Sequence, residues 1–229
     1  MTDRILTVVS GGLRTPSSTR LLADQLATAA RAALADAGMT VDVRHVELRE
    51  HAHAITDALL TGFAAGALRD ALADVTGADA LVVVAPTFQG SYGGLFKSFM
   101  DLLEAGTLRG VPVVLAATGG TERHSLVVEH ALRPLLTYLG ALTVPTGVYA
   151  ATADFGGDGS AALADRIVRA ARELSDLLAG GTARIALRPE LVPFADLLAA
   201  NRPPPPLVDA GRSPAAPASA PESAPEASS

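Results

Sequence analysis

The feature that most limits the fold is the run ALVVVA, Ala80 to Ala85, six consecutive apolar residues followed directly by Pro86. A strand that is apolar at every residue is covered on both faces, the situation of a central strand in a parallel sheet layered between helices. Around it, short apolar runs alternate with longer segments of helical period, the pattern of strands joined by crossover helices. Ile5 to Val9 predicts a first strand, and Leu22, Leu26, Ala29 and Ala33 then recur at helical spacing until Gly38. Val41, Val43 and Leu48, interleaved with Arg44, His45 and Glu47, predict a more polar strand near the edge of the sheet. His51 to Gly62 shows no clear period, Leu68 to Ala73 predicts a short helix, and Pro86 is expected to end the central strand. A helix over Leu95 to Leu103, a strand over Val111 to Ala117, a helix over Ser125 to Leu139, a strand over Thr143 to Ala150 and a helix over Leu163 to Leu178 complete the series. The expectation is an α/β domain over residues 1–180, with five parallel strands in the order 2-1-3-4-5 and helices on both faces.

Composition removes several kinds of chemistry. The 229 residues contain no cysteine, which excludes disulfide scaffolds, thiol nucleophiles and thiolate metal sites. A formal net charge of −6 argues against nucleic acid and anionic membrane as partners, because both need a basic face. The start, MTDRILTVVSGG, is too short in apolar residues for a signal h-region or a membrane span, so the sequence reads as a cytoplasmic protein. Beyond Arg202 the chain turns to PPPP and then a Ser/Ala/Pro/Glu tract, eight prolines in all from Pro203 to the end, a composition that cannot bury enough apolar surface to order itself. Residues 203–229 are expected to be a disordered tail. Residues 181–202 carry Ile185, Leu187, Leu191, Val192, Phe194, Leu197 and Leu198, and read either as an arm that docks on the domain or a partner subunit, or as a flexible extension.

Three loops, each following a strand, hold the candidate chemistry. The first, Ser10 to Arg20 (SGGLRTPSSTR), matches neither the dinucleotide G-x-G-x-x-G nor the P-loop pattern. Its Ser17, Ser18 and Thr19 stand where a helix begins, and the first acidic residue of that helix is Asp24, more than a turn inside. A helix start with free N–H groups and no carboxylate suits a phosphate, and Arg14 adds a forked donor for phosphate oxygens. A Ser/Thr-rich cap without a ligand accounts for the same residues. The second loop, Pro86 to Gly94 (PTFQGSYGG), lies at the carboxyl end of the central strand, beside the point where the strand order reverses and ligands collect. Its glycines allow close backbone approach, Phe88 and Tyr92 offer apolar contact to a flat ring, and Gln89 and Ser91 offer hydrogen bonds. The third, Ala117 to Ser125 (ATGGTERHS), brings paired glycines to the same end of the sheet.

Together, the spaced serines after the first strand, PTFQGSYGGLFKSFMDLL and ATGGTERHSLVVEHALRPLLTYLGA resemble the NAD(P)H-dependent FMN reductases of the flavodoxin-like superfamily. The likeness is greatest to the alkanesulfonate-type reductases that serve two-component flavin monooxygenases, and it covers roughly residues 4 to 178. The resemblance implies a flavodoxin-like fold, FMN with NADH or NADPH as cofactors, a flavin-dependent monooxygenase as partner, and a homodimer or homotetramer. It implies that Ser10, Arg14, Ser17, Ser18 and Thr19 hold the FMN phosphate, and that Pro86, Thr87, Phe88, Gln89, Ser91 and Tyr92 face the ribityl chain and ring. Thr118, Gly119 and Gly120 would then cover the other edge of the ring. It also implies that the helix after the double glycine packs at a subunit interface and bulges into a π turn at His130.

Other constellations carry less. His51 and His53 lack a third clustered ligand for a metal, His124 and Ser125 point about 100° apart on a helix, and no G-x-S-x-G elbow is present. Lys97, the single lysine, reads as a solvated helix residue more readily than as a partner of nicotinamide phosphates. The expected activity is hydride transfer from nicotinamide C4 to flavin N5, chemistry that belongs to the cofactors and needs no catalytic side chain. The rivals are a quinone or azo reductase with retained FMN and a non-enzymatic flavodoxin-like electron carrier.

Overall fold

The computed structural model describes residues 3–156 and 159–180; the expected arm at 181–202 and tail at 203–229 lie outside the described residues. The strands are β1 (Asp3–Ser10), β2 (Thr40–Glu47), β3 (Ala80–Phe88), β4 (Ser91–Tyr92), β5 (Pro112–Gly119), β6 (Leu142–Thr143) and β7 (Val148–Ala151). The helices are α1 (Ser18–Asp36), α2 (Ala52–Thr61), α3 (Gly66–Thr76), α4 (Gly94–Met100), α5 (Arg133–Tyr138) and α6 (Gly159–Ala179). The sheet runs β2-β1-β3-β5, with both β6 and β7 parallel to β5 on its far side and β4 folded back antiparallel on β3.

Burial on both sides explains why ALVVVA sits at the centre. Val82 and Val84 join the core formed with α1 and α6, while Leu81, Val83 and Ala85 join the core formed with α2 to α5. Successive residues of a strand point to opposite faces, so this one strand closes two cores, and each fully buried valine contributes roughly 1.5 to 3 kcal/mol. The more polar β2 takes the edge position that its composition predicts. Among the described residues, no helix is long and apolar enough to cross a membrane.

The structure corrects the sequence reading at four places. The fifth expected strand, Thr143 to Ala150, is interrupted: β6 and β7 both pair with β5, and Val144 to Gly147 lie between them; with the short β4 added on β3, the described residues form seven strands rather than five. Pro145 lacks the N–H that a continuous ladder requires. The carbonyls released there go to Arg133, whose Nη1 donates to Val144 O (2.8 Å) and Thr143 Oγ1 (2.9 Å) and whose Nη2 donates to Pro145 O (3.1 Å). Glu129 holds that guanidinium from the other side at 2.6 and 2.8 Å, which drives the Glu129 carboxyl below its ordinary range and raises Arg133.

Pro86 does not end β3. Val84 O accepts from Gly11 N on the β1 side, so Pro86, two residues on, turns its missing N–H toward the same side, beyond the last paired residue of β1. The ladder to β1 has already ended there, and the strand continues to Phe88. The stretch His51 to Gly62 contains α2, whose periodicity is blurred because Ile55 and Ala58 are buried while Leu59 and Leu60 face outward. The long helix expected over Ser125 to Leu139 is broken: a π turn spans Val128–Leu132, at His130 where the family resemblance implies one, and α5 follows it. Pro134 removes the i→i−4 bond to His130 O and crowds that carbonyl, which accounts for a bulge immediately before it.

Two outcomes are expected of the Arg133 anchor. Arg133→Met keeps the apolar stem but strands the Val144 carbonyl, so the melting temperature should fall by roughly 3 to 10 °C. Because the Glu129 carboxyl is lowered from an ordinary value of 4.5 in the folded state, its stabilisation is complete above that value and is lost as pH falls through the lowered one. Melting curves of Glu129→Gln and wild type should therefore differ at neutral pH and converge in acid.

Candidate functional site

The first loop leaves β1 at Ser10 and is pinned by Gly11 N donating to Val84 O at 2.9 Å. It folds tightly onto the start of α1. A Cβ at Gly12 would stand 2.2 Å from Ser17 Oγ, so the turn closes only with glycine there. Ser17 is the cap, with extended backbone and Oγ accepting from Arg20 N at 3.2 Å. The N–H groups of Ser18 and Thr19 precede the first intrahelical bond, and no acidic side chain occupies the first turn. The helix thus presents its positive dipole end to the loop unopposed. Arg20, by contrast, is committed to Asp24 and Glu47 and is raised above its usual value, first by its bond to Asp24.

The ends of β3 and β5 bring up the other two walls. Thr118 Oγ1 and Thr19 Oγ1 meet at 2.8 Å in a buried pair that ties the end of β5 to the start of α1. On the opposite face, Tyr149 Oη donates to Thr121 O at 2.7 Å, and a Cβ at Gly119 would lie 2.0 Å from that oxygen. Burial pushes the Tyr149 phenol up. The Thr87 side chain opposes that rise in part, although Thr87 Oγ1 forms no hydrogen bond of normal geometry.

These walls enclose a cleft of ≈ 250 Å³ in which Arg14, Ser17, Ser18, Thr19, Pro86, Thr87, Phe88, Thr118, Gly119 and Gly120 come together. Leu13, Pro16 and Thr152 complete it, and Arg14 is the only titratable side chain among the lining residues. Thr152 directly follows β7, so the rule that ligands gather at strand carboxyl ends points to it as well. Tyr149 carries no such signal, being one more apolar-facing strand residue in VYAA. The remaining expected residues lie elsewhere. Ser10 is buried beneath the loop with Oγ unpartnered, and Gln89 is exposed at the β3–β4 turn with φ 49°. Ser91 and Tyr92 face a separate hollow of ≈ 590 Å³ shared with Lys97, His130 and Tyr138. Lys97 is there paired with Asp101, which raises its pKa.

A larger groove of ≈ 510 Å³ runs between α1 and α6, but it is walled mainly by apolar side chains of two helices and gathers none of the three loops. In the cleft, by contrast, one end offers free N–H groups and a guanidinium to an anion. The rest offers backbone, hydroxyls and a proline–phenylalanine wall to an uncharged body. With no acid–base pair among its lining residues, it is built to bind and orient a ligand that brings its own chemistry. FMN fits that description, its phosphate matching the helix start and its ring matching the glycine-lined walls.

Comparison with known proteins agrees. The model of the family described as NADPH-dependent FMN reductase matches residues 4–156. An FMN reductase (NADPH) of Pseudomonas aeruginosa is 42% identical over 149 residues, 64% of this chain and 76% of that protein. The NADH-dependent FMN reductase SfnE of Pseudomonas putida is 42% identical over 165 residues, 71% of this chain and 86% of that protein. Among solved structures, an oxidoreductase from Corynebacterium diphtheriae superposes with a TM-score of 0.76 at 45% identity, covering 79% of this chain and 99% of that one. The cleft, the sheet order and these likenesses converge: the chain belongs to the NADPH-dependent FMN reductase family.

Proposed function

We propose that the protein, as an NAD(P)H:FMN oxidoreductase, reduces FMN with NADH or NADPH and releases the reduced flavin to a flavin-dependent monooxygenase. The observation that carries this reading is the composition of the cleft: an anion-binding helix start at one end, glycine-lined walls beyond it, and no acid or base. When bound, the cofactors supply the chemistry, hydride passing from nicotinamide C4 to flavin N5. The chain's own residues bind and orient. Arg14, Ser17 and Ser18, with the N–H groups at the start of α1, hold the phosphate; Thr87 and Phe88 line one side of the ring, and Thr118 to Gly120 the other. The monooxygenase partner is supported by the likeness to SfnE and to the NADH-dependent FMN reductase SfnF of Pseudomonas putida, 43% identical over 148 residues, together with the likeness of the loop sequences to alkanesulfonate-type reductases. A homodimer or homotetramer is supported by Leu126 and Tyr138, exposed by 62% and 76% on either side of the π turn. Because NAD(P)H is the reductant, we place the protein in the cytoplasm.

Purified protein should oxidise NADH or NADPH only when FMN is added. Faster turnover of a quinone without added flavin would point to a reductase with retained FMN instead, and no turnover with FMN, riboflavin or FAD would reject the reading. The phosphate site has its own check in parallel titrations of FMN and riboflavin, which lacks the anion. Arg14→Ala removes a charge-assisted bond of roughly 1.5 to 3 kcal/mol, so FMN affinity should fall by about one to two orders of magnitude while riboflavin affinity barely moves. Ser18→Asp puts a carboxylate at the start of α1, beside the Ser17 cap, and should abolish the preference for FMN with the fold intact. Equal losses for both flavins would mean that the loop acts only through structure, and unchanged FMN binding would place the phosphate elsewhere.

A further inference from the structure

The carboxyl end of β5 is held from both faces, because successive residues of a strand point to opposite sides. Thr118 points toward α1 and meets Thr19; Gly119 points the other way, toward Tyr149. Tyr149 is opposite Ala117 in the β5–β7 register and is 8% exposed, so its ring lies in the core and its hydroxyl reaches two residues along β5. There Oη donates to Thr121 O at 2.7 Å and occupies the space that a Cβ at position 119 would need, 2.0 Å from Oη and 3.1 Å from Cζ. Tyr149 does not line the cleft; it stands behind the wall that Gly119 and Gly120 form.

We infer that Tyr149 is a positioning residue for flavin binding, holding the backbone from Thr118 to Thr121 in the place where it can meet the edge of the ring. The inference rests on the flavin-binding reading of the cleft. A double glycine after a strand end is the least restrained backbone in a chain, and its entropy must be lost each time it orders around a ligand. One neutral donor fixed in the core removes that freedom in advance. The donor has to remain protonated, and the buried phenol, pushed up from its ordinary value, does so across the neutral range. Phenylalanine would fill the same space in the core but leave Thr121 O without this donor. It would also remove the nearest obstacle to a Cβ at position 119, leaving the ring carbon Cζ at 3.1 Å.

The test uses the full chain, with FMN and riboflavin as probes, fluorescence titration for binding and NAD(P)H oxidation for turnover. Tyr149→Phe should weaken both flavins equally, by about three- to tenfold, as expected for one lost hydrogen bond. It should raise the flavin KM while kcat at saturating flavin stays within about twofold, the signature of lost binding common to ground and transition states. Gly119→Ala should remove most flavin binding in the wild-type background and far less beside Tyr149→Phe, because the oxygen it strikes is gone; the two changes should be strongly non-additive. A lower melting temperature with flavin KM unmoved would make Tyr149 merely structural and overturn the inference, as would strict additivity or a loss confined to FMN. Wild type that binds neither flavin would instead overturn the reading of the cleft on which the inference rests.

Discussion

A hydroxyl pair, Thr19 with Thr118 at 2.8 Å, joins the start of α1 to the end of β5 across 99 residues of sequence. Around this contact the molecule's two requirements meet. The apolar strands must stack their carboxyl ends at one edge of the sheet, and the helix that follows β1 must begin there with its N–H groups unspent. A buried hydroxyl that found no partner would cost about 1 to 3 kcal/mol, so the pair favours the one register in which the helix start and the glycine loop face each other. The cleft is what remains between them. Its polarity follows from the same geometry, since the helix end supplies positive potential and the strand ends supply little beyond backbone and hydroxyls.

The sequence shows the sheet clearly where side chains do the sorting. ALVVVA must be central because it is apolar on both faces, and TVDVRHVE takes the edge because half of it is not. Legibility fails where backbone hydrogen bonding decides. Pro86 looks like a terminator, yet its missing N–H faces beyond the last paired residue of β1 and the strand runs on. Pro145 does interrupt a strand, but the cost is met by Arg133, twelve residues upstream, which no local pattern reveals. Leu59 and Leu60 hide α2 because they are apolar residues on its outward face.

The candidate site was legible as loops and less so as individual side chains. The strand-end rule locates Arg14, Thr87 and Thr118 without knowing a single contact. It cannot tell which residues of PTFQGSYGG turn inward. The β3–β4 reversal carries Ser91 and Tyr92 to the other side, where Tyr92 packs against Phe96 with ring centroids 5.8 Å apart. Ser10 follows from its parity on β1, which directs it beneath the loop rather than into the cleft. Tyr149 was invisible because its role depends on reaching diagonally across two strands, a relation that exists only once the register of β5 and β7 is set.

The walls of the cleft are drawn from Leu13 at one extreme of the chain order to Thr152 at the other. During synthesis a growing chain therefore completes the site one wall at a time and closes it only when almost the whole domain has emerged, because each wall is complete only when its strand is paired. On the proposed reading of the cleft, flavin that binds the completed domain would draw the folding equilibrium toward it by mass action, so that added FMN raises the apparent stability.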